Sequence, residues 1–260
     1  IHYGENGRAV LTMCTTNPDG FSASQTQNIQ KVFQILSLLL SVAETKRLAQ
    51  TLLRTYLGRH TADKVLAGDI LRGEGRSVRA AIWMCDLRDF TSMTSNIGSF
   101  EMIDVMNQYF DCMAEAVWEE GGEILKFMGD AMLAVFQIGD HQSAETAAHR
   151  AIRSAKVAQD NLEAVSNQRV ADGLPALRAG ISLHLGAVVY GNIGTKNRLD
   201  FTVIGRAVNL TSRLESLCKP LECSALFSEA VQRHLGRLKP MGQHRLKGIA
   251  EPVDVWTLPA

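Results

Sequence analysis

The stretch EILKFMGDAMLAVF, Glu123 to Phe136, constrains the fold more tightly than any other part of the chain. Two apolar runs flank one Gly-Asp pair, and glycine at the first of two turn positions suits a type II′ hairpin. The pattern predicts two antiparallel strands joined at Gly129-Asp130, which commits the neighbouring chain to a sheet. Asp130 falls at the tip, and Lys126 lies in the first strand on the face that also carries Met128 and Asp130. Opposite charges four residues apart in so apolar a hairpin have two readings. They form a Lys–Asp ion pair on a solvated edge, or each meets a ligand.

From Ser77 onward, strand and helix patterns alternate. SVRAAIWMCDL reads as a buried strand, and residues 99–119 as a helix with Ile103, Met106, Phe110, Met113 and Val117 on one face, stopped at Gly121-Gly122. After the hairpin, helix 142–166 places Ala144, Ala148, Ala151, Ala155, Ala158, Leu162 and Val165 on one stripe, small enough for close packing on a sheet. Strands LRAGISLHLG, AVVYGNIG and LDFTVIG follow, then helix 206–218 and short strands around ECSALF, QHRLKG and PVDVWTL. This order suggests an α+β fold, an antiparallel-rich sheet with helices on one face in the ferredoxin-like manner.

The first 76 residues read differently. Residues 1–24 hold one strand candidate, AVLTMCT, and the turn NPDG. A helical pattern runs from Gln25 to about Tyr56 with Ile29, Val32, Leu36, Leu39 and Ala43 three and four apart. It is either a coiled-coil-like dimer seam or a helix packed on its own domain. Gly58 closes it, HTADKVLAG makes a short helix, and GDILRGEG is a connector. The expected divisions are therefore 1–24, 25–76 and 77–260.

Composition narrows the function classes. Of 260 residues 46% are hydrophobic and 21% charged, an ordinary globular balance. Lys plus Arg equals Asp plus Glu at 27 each, so no global field points to nucleic acid or a membrane surface. The five cysteines are scattered without a CxxC pair, which fits a reducing, cytoplasmic setting without structural zinc. The run VFQILSLLLSVA falls short of the about 20 residues of a membrane span. A start at Ile1 without a basic-then-apolar leader reads as a fragment of a longer protein, one whose upstream part could be membrane-attached.

Other charges sit where chemistry is plausible. WMCDLRDFTSM ends a strand in Asp86 beside a helix start, a place for a hard cation and phosphate or simply for an N-cap. Asn209 and Arg213 stand four apart on one helix face, Arg178 begins a strand, and Lys247 precedes Gly248. Taken singly, each is compatible with a solvated surface. No GxxxxGK[ST] loop, HExxH pair or GxSxG elbow occurs, and His184 within GISLHLG reads as a core histidine.

In order, CDLRDFTSM, EILKFMGDAMLAVF, LRAGISLHLGAVVYGNIG, LDFTVIGRAVNLTSRLE and HRLKGIAEPVDVW resemble the catalytic domain of class III nucleotidyl cyclases over about residues 78–258. The resemblance implies that Asp86 and Asp130 hold two Mg²⁺ or Mn²⁺ ions. Lys126 and Thr202 would read adenine, as in the bacterial branch shared with bicarbonate-responsive cyclases. Asn209 and Arg213 would position ribose and stabilise the transition state, and Arg178 and Lys247 would hold phosphates. A Lys offers only donors, which matches the adenine N1 acceptor and opposes guanine.

The resemblance further implies ATP as substrate and a head-to-tail homodimer. Asp86, Asp130 and Arg178 of one chain would complete a site with Lys126, Thr202, Asn209, Arg213 and Lys247 of the other. Lys126 and Asp130 would then serve different sites. Asp89 stands where the family more often has Gly, and a capping or solvent-facing role is expected for it. Residues 8–43 resemble the closing strand and last helix of a GAF-type sensor, which implies an upstream sensor domain. The rival reading is a catalytically silent cyclase-like dimerising module, and a cyclase with relaxed ATP/GTP choice stays open within the class.

Overall fold

The computed structural model describes residues 2–3, 7–69, 71, 73, 75–95, 97–139 and 142–259. The chain divides into two compact units, residues 1–69 and 70–260. In the first, β1 (His2–Tyr3) pairs antiparallel with β2 (Gly7–Arg8). The strand expected over AVLTMCT is not formed: residues 9–16 lie in no strand and are mostly exposed, because an apolar run without a partner strand gains little from extension. A capping box follows, with Ser22 Oγ accepting from the Gln25 N–H and the Gln25 side chain accepting from the Ser22 N–H. It starts α1 (Ala23–Leu57), which ends at Gly58 before α2 (Arg59–Leu66). Arg54 and Asp63 join the two helices at 2.9 Å. No residue of α1 is buried, and Ile35, Leu38, Leu39 and Val42 lie about 60% exposed. Among the described residues no helix is long and apolar enough to cross a membrane.

The second unit is built on β3 (Gly75–Leu87). Alternate side chains enter different cores, Ala81, Trp83, Cys85 and Leu87 on one face and Ala80, Ile82 and Met84 on the other. Burial on both faces explains the nearly continuous apolar run. After a short α3 (Phe90–Thr94) and α4 (Ser99–Glu119) come β4 (Glu123–Met128), β5 (Ala131–Ile138), α5 (Ala144–Ala171) and β6 (Ala179–Gly194). The strand order β4-β5-β3-β6, all antiparallel, is the ferredoxin-like arrangement. β7 (Leu199–Ile204) pairs with the far end of β6, and α6 (Arg206–Glu215) follows. β8 (Ala225–Ser228) runs parallel to the near end of β6, and a single turn, α7 (Glu229–Gln232), leads to β9 (Lys239–His244) and β10 (Val253–Thr257). β10 lies between β8 and β9.

α4 and α5 cover the face that holds Trp83, and the alanine stripe Ala148, Ala151, Ala155 and Ala158 is buried as expected. In α4 the seam is rotated from the expected one. Met102, Val105, Tyr109, Cys112 and Ala116 are buried beside Met113 and Val117, whereas Ile103 is exposed. The helix is apolar over so wide an arc that spacing alone does not select its centre. Each large side chain fully buried here, Trp83, Tyr109 or Phe136, contributes about 1.5–3 kcal/mol.

Helices do not keep to one face. α6 packs on the opposite side, where a Cβ at Gly186 would lie 2.6 Å from Ala207 Cβ and one at Gly180 would lie 2.8 Å from Cys218 Cβ. Two side-chain-free positions on β6 let the helix approach, and the Ser182 hydroxyl donates to the Thr211 carbonyl at 2.9 Å between them. The strand expected around QHRLKG lies earlier, at 239–244, and Leu246 is buried in the turn beyond it.

Candidate active site

The hairpin tip has two residues, with Met128 opposite Ala131 and Gly129 at φ +66°, as the Gly-Asp pair predicts. Ala131 is also the partner of Asp86 across β3 and β5. Asp130, one residue before Ala131, therefore arrives beside Asp86. Both line a cavity of about 370 Å³ together with Arg88, Asp89, Glu215 and Lys219. Asp86 Oδ1 is buried and has no hydrogen-bond partner among the described residues. A carboxylate oxygen left unpaired, with a second carboxylate beside it, fits a hard cation. Among the described residues no three acidic, His or Cys side chains converge at ligand distance. Cations held by two carboxylates would take their other ligands from phosphate and water, as Mg²⁺ usually does.

The other expected site residues lie elsewhere on the domain. Lys126 is half-buried on β4 at a register shift, and among the described residues it has no ion pair, so it does not neutralise Asp130. Thr202 is buried on β7, and its hydroxyl has no hydrogen-bond partner among the described residues. Asn209 and Arg213 are exposed on α6, whose inner stripe is Ala207, Thr211 and Leu214, and Lys247 is exposed after β9. None of these five lines the acidic cavity. Arg178 is exposed just before β6, with its guanidinium 3.4 Å from Asp89. The five therefore stand apart from the carboxylates within one chain. His184 matches its expected structural role, with Nδ1 2.8 Å from Ser228 Oγ and burial lowering its pKa to about 4.

Residues 75–258 match the family model of the adenylate and guanylate cyclase catalytic domain. The chain belongs to this cyclase family. It is 39% identical over 163 residues to an adenylate cyclase of Anabaena cylindrica, which covers 63% of this chain and 32% of that protein. The chain spans a third or less of the length of such curated relatives. A bacterial light-regulated adenylyl cyclase structure superposes with a TM-score of 0.72 at 27% identity, covering 86% of this chain and 64% of that one. That coverage reaches beyond residues 75–258. The crystal structure of the guanylyl cyclase Cya2 superposes with a TM-score of 0.60 at 34% identity over 70% of this chain and 92% of that one.

Three residues of the cyclase domain's cavity escaped sequence reasoning: Arg88, Glu215 and Lys219. Arg88 donates to the carbonyls of Cys218, at 3.0 Å, and Cys223, which ties the turn after α6 to the end of β3. Glu215 Oε1 fills the space beside Gly180, the residue opposite Asp86 on β6. It stands one turn beyond buried Thr211, and a carboxylate on a buried stripe was a readable signal. Burial and then the Asp130 charge push Asp86 up to about 6. Burial and then Asp86 push Glu215 up to about 7, against the pull of Arg88.

The sign follows from linkage. A carboxyl whose pKa is higher folded than unfolded favours the folded state while protonated, and that advantage is lost as pH rises through the folded value. Glu215 thus opposes folding increasingly between its ordinary value of 4.5 and about 7. Glu215→Gln removes the charge and keeps the shape. In chelator, its melting temperature is expected to equal wild type near pH 4.5 and to exceed it near pH 8. Parallel melting curves across that range would show instead that Glu215 ionises without cost.

Proposed function

We propose that this domain is an adenylate cyclase that converts ATP to 3′,5′-cyclic AMP and pyrophosphate in the cytoplasm. The observation that carries the reading is the convergence of Asp86 and Asp130 in one cavity, with a buried carboxylate oxygen left unpaired. Asp86 and Asp130 would hold two Mg²⁺ or Mn²⁺, whose chemistry is to lower the pKa of the ribose 3′-hydroxyl and to neutralise the triphosphate. The 3′-oxygen, losing its proton, attacks the α-phosphorus in line. The new O3′–P bond forms as the bond to the bridging oxygen breaks, and pyrophosphate leaves. Asn209 orients the ribose, Arg213 meets the growing negative charge, and Arg178 and Lys247 hold phosphate oxygens.

The base is selected by Lys126 and Thr202. Lys126 donates to adenine N1, and the Thr202 hydroxyl, which has no hydrogen-bond partner among the described residues, accepts from the adenine amino group. Overall similarity does not separate the two bases, since the solved guanylyl cyclase is 34% identical. Residue chemistry at 126 and 202 supports adenine.

The separation of these residues from the carboxylates supports sites shared across a homodimer, each chain lending acids to one site and base-reading groups to the other. The exposed apolar side chains of α1 support a second contact that aligns the two chains and carries signals from an upstream sensor domain. The decisive assay offers ATP or GTP with Mg²⁺ or Mn²⁺ and identifies products by mass. Cyclic AMP with equimolar pyrophosphate, and at least about tenfold preference for ATP, is the expected result. Cyclic GMP as main product would overturn the base assignment. No cyclic nucleotide from a folded dimer would favour a silent signalling module.

A further inference from the structure

Asp89 occupies the left-handed region at φ 60°, ψ 20°, where glycine is accommodated best and aspartate is among the few tolerated alternatives. It stands at the N-cap of α3, but its side chain makes no capping bond; of the two roles expected for it, it takes the solvent-facing one. Its carboxylate instead bridges two cations. Lys219 Nζ lies 2.8 Å from Oδ1 and Arg178 lies 3.4 Å from Oδ2. These residues are 89 and 130 positions away in sequence, so the contact belongs to the fold. Asp89 and Lys219 line the same cavity as Asp86 and Asp130. Lys219 is held there by the turn that Arg88 anchors through the Cys218 and Cys223 carbonyls.

A cation that lines a cavity shared with paired carboxylates, and a second cation joined to it through Asp89, describe a polyphosphate site with one anion already in it. We propose that Lys219 and Arg178 form a clamp for the β- and γ-phosphates of the nucleotide, and that Asp89 is a resident anion which the incoming triphosphate displaces. This rests on the reading of the domain as a nucleotide cyclase. Phosphate oxygens outcompete a carboxylate for such a pair because the triphosphate carries more charge and more acceptors. Asp89 keeps the two side chains gathered at the mouth while the site is empty and lowers apparent affinity in proportion to its hold on them. The ion pairs are largely exposed, so the effect on affinity is modest.

The test uses the full 260-residue chain as wild type, Asp89→Asn, Asp89→Gly and Lys219→Met, with melting curves to establish folding. Calorimetry reads binding of inorganic pyrophosphate with Mg²⁺, and steady-state kinetics reads KM for ATP. Both Asp89 variants are expected to bind pyrophosphate about two- to fivefold more tightly and to lower KM similarly, while Lys219→Met shifts both the other way. Asp89 variants that bind pyrophosphate no better than wild type, or a Lys219→Met chain with unchanged binding, would overturn the clamp. Pyrophosphate shifts in the stated directions without any cyclic nucleotide from wild type would uphold the clamp and sink the cyclase reading. Turnover by wild type without those shifts would do the reverse.

Discussion

Asp86→Ala and Lys126→Ala are each expected to lose on the order of a thousandfold in cyclase turnover, and a mixture of the two to recover about a quarter of wild-type activity if the sites are shared across a homodimer. The recovery follows from the geometry. Within one chain Asp86 lines the acidic cavity, whereas Lys126 lies on β4 outside it. If each site takes acids from one chain and base-reading groups from the other, a mixed dimer has one doubly damaged site and one intact site. Random exchange makes half of all dimers mixed, and half of their sites work. Absence of recovery, with exchange demonstrated by fluorescence transfer between labelled chains, would contradict shared sites. Recovery well above a quarter would indicate preferential mixed pairing, which melting and exchange rates would reveal.

Arg213→Ala is expected to lower kcat about a hundred- to a thousandfold, some 3–4 kcal/mol of transition-state stabilisation, with a much smaller change in KM. Arg213 is exposed, and α6 is held by Ala207, Thr211 and Leu214 on its other side. Truncation therefore removes a charge without opening the core, and the melting temperature is expected to stay within about 1 °C. Arg213→Lys recovers only part of the rate, because an ammonium cannot present the planar fork of a guanidinium. A loss seen mainly in KM would reassign Arg213 to ground-state binding.

What was legible in the sequence was what local periodicity controls. The two-residue turn at Gly129-Asp130, the buried strand 77–87 and the alanine stripe of α5 each follow from spacing within a few residues. What was not legible depends on distant partners. Gly180 and Gly186 look like ordinary strand glycines until α6 lies against them, so the second helical face was missed. Asp89 follows the local rule for a helix N-cap, and only Arg178 and Lys219, brought close by the sheet, give its carboxylate another use. AVLTMCT has strand composition but no strand beside it. Among the site residues, Asp130 at the hairpin tip was readable locally, its meeting with Asp86 was implied only by the resemblance because it depends on the pairing of β3 with β5, and Glu215 waited on the missing Cβ of Gly180.

The shortness of the Gly129-Asp130 turn has an evolutionary corollary. An inserted residue that advanced the register of β5 by a single step would send Met132, Ala134 and Phe136 out of one core while pulling Leu133 and Val135 out of the other. A length change at this tip is thus tolerated only where a longer loop leaves that register in place. Purifying pressure on the gap between positions 126 and 130 would arise from folding as well as from chemistry, and libraries that randomise the turn should vary its identity while holding its length constant.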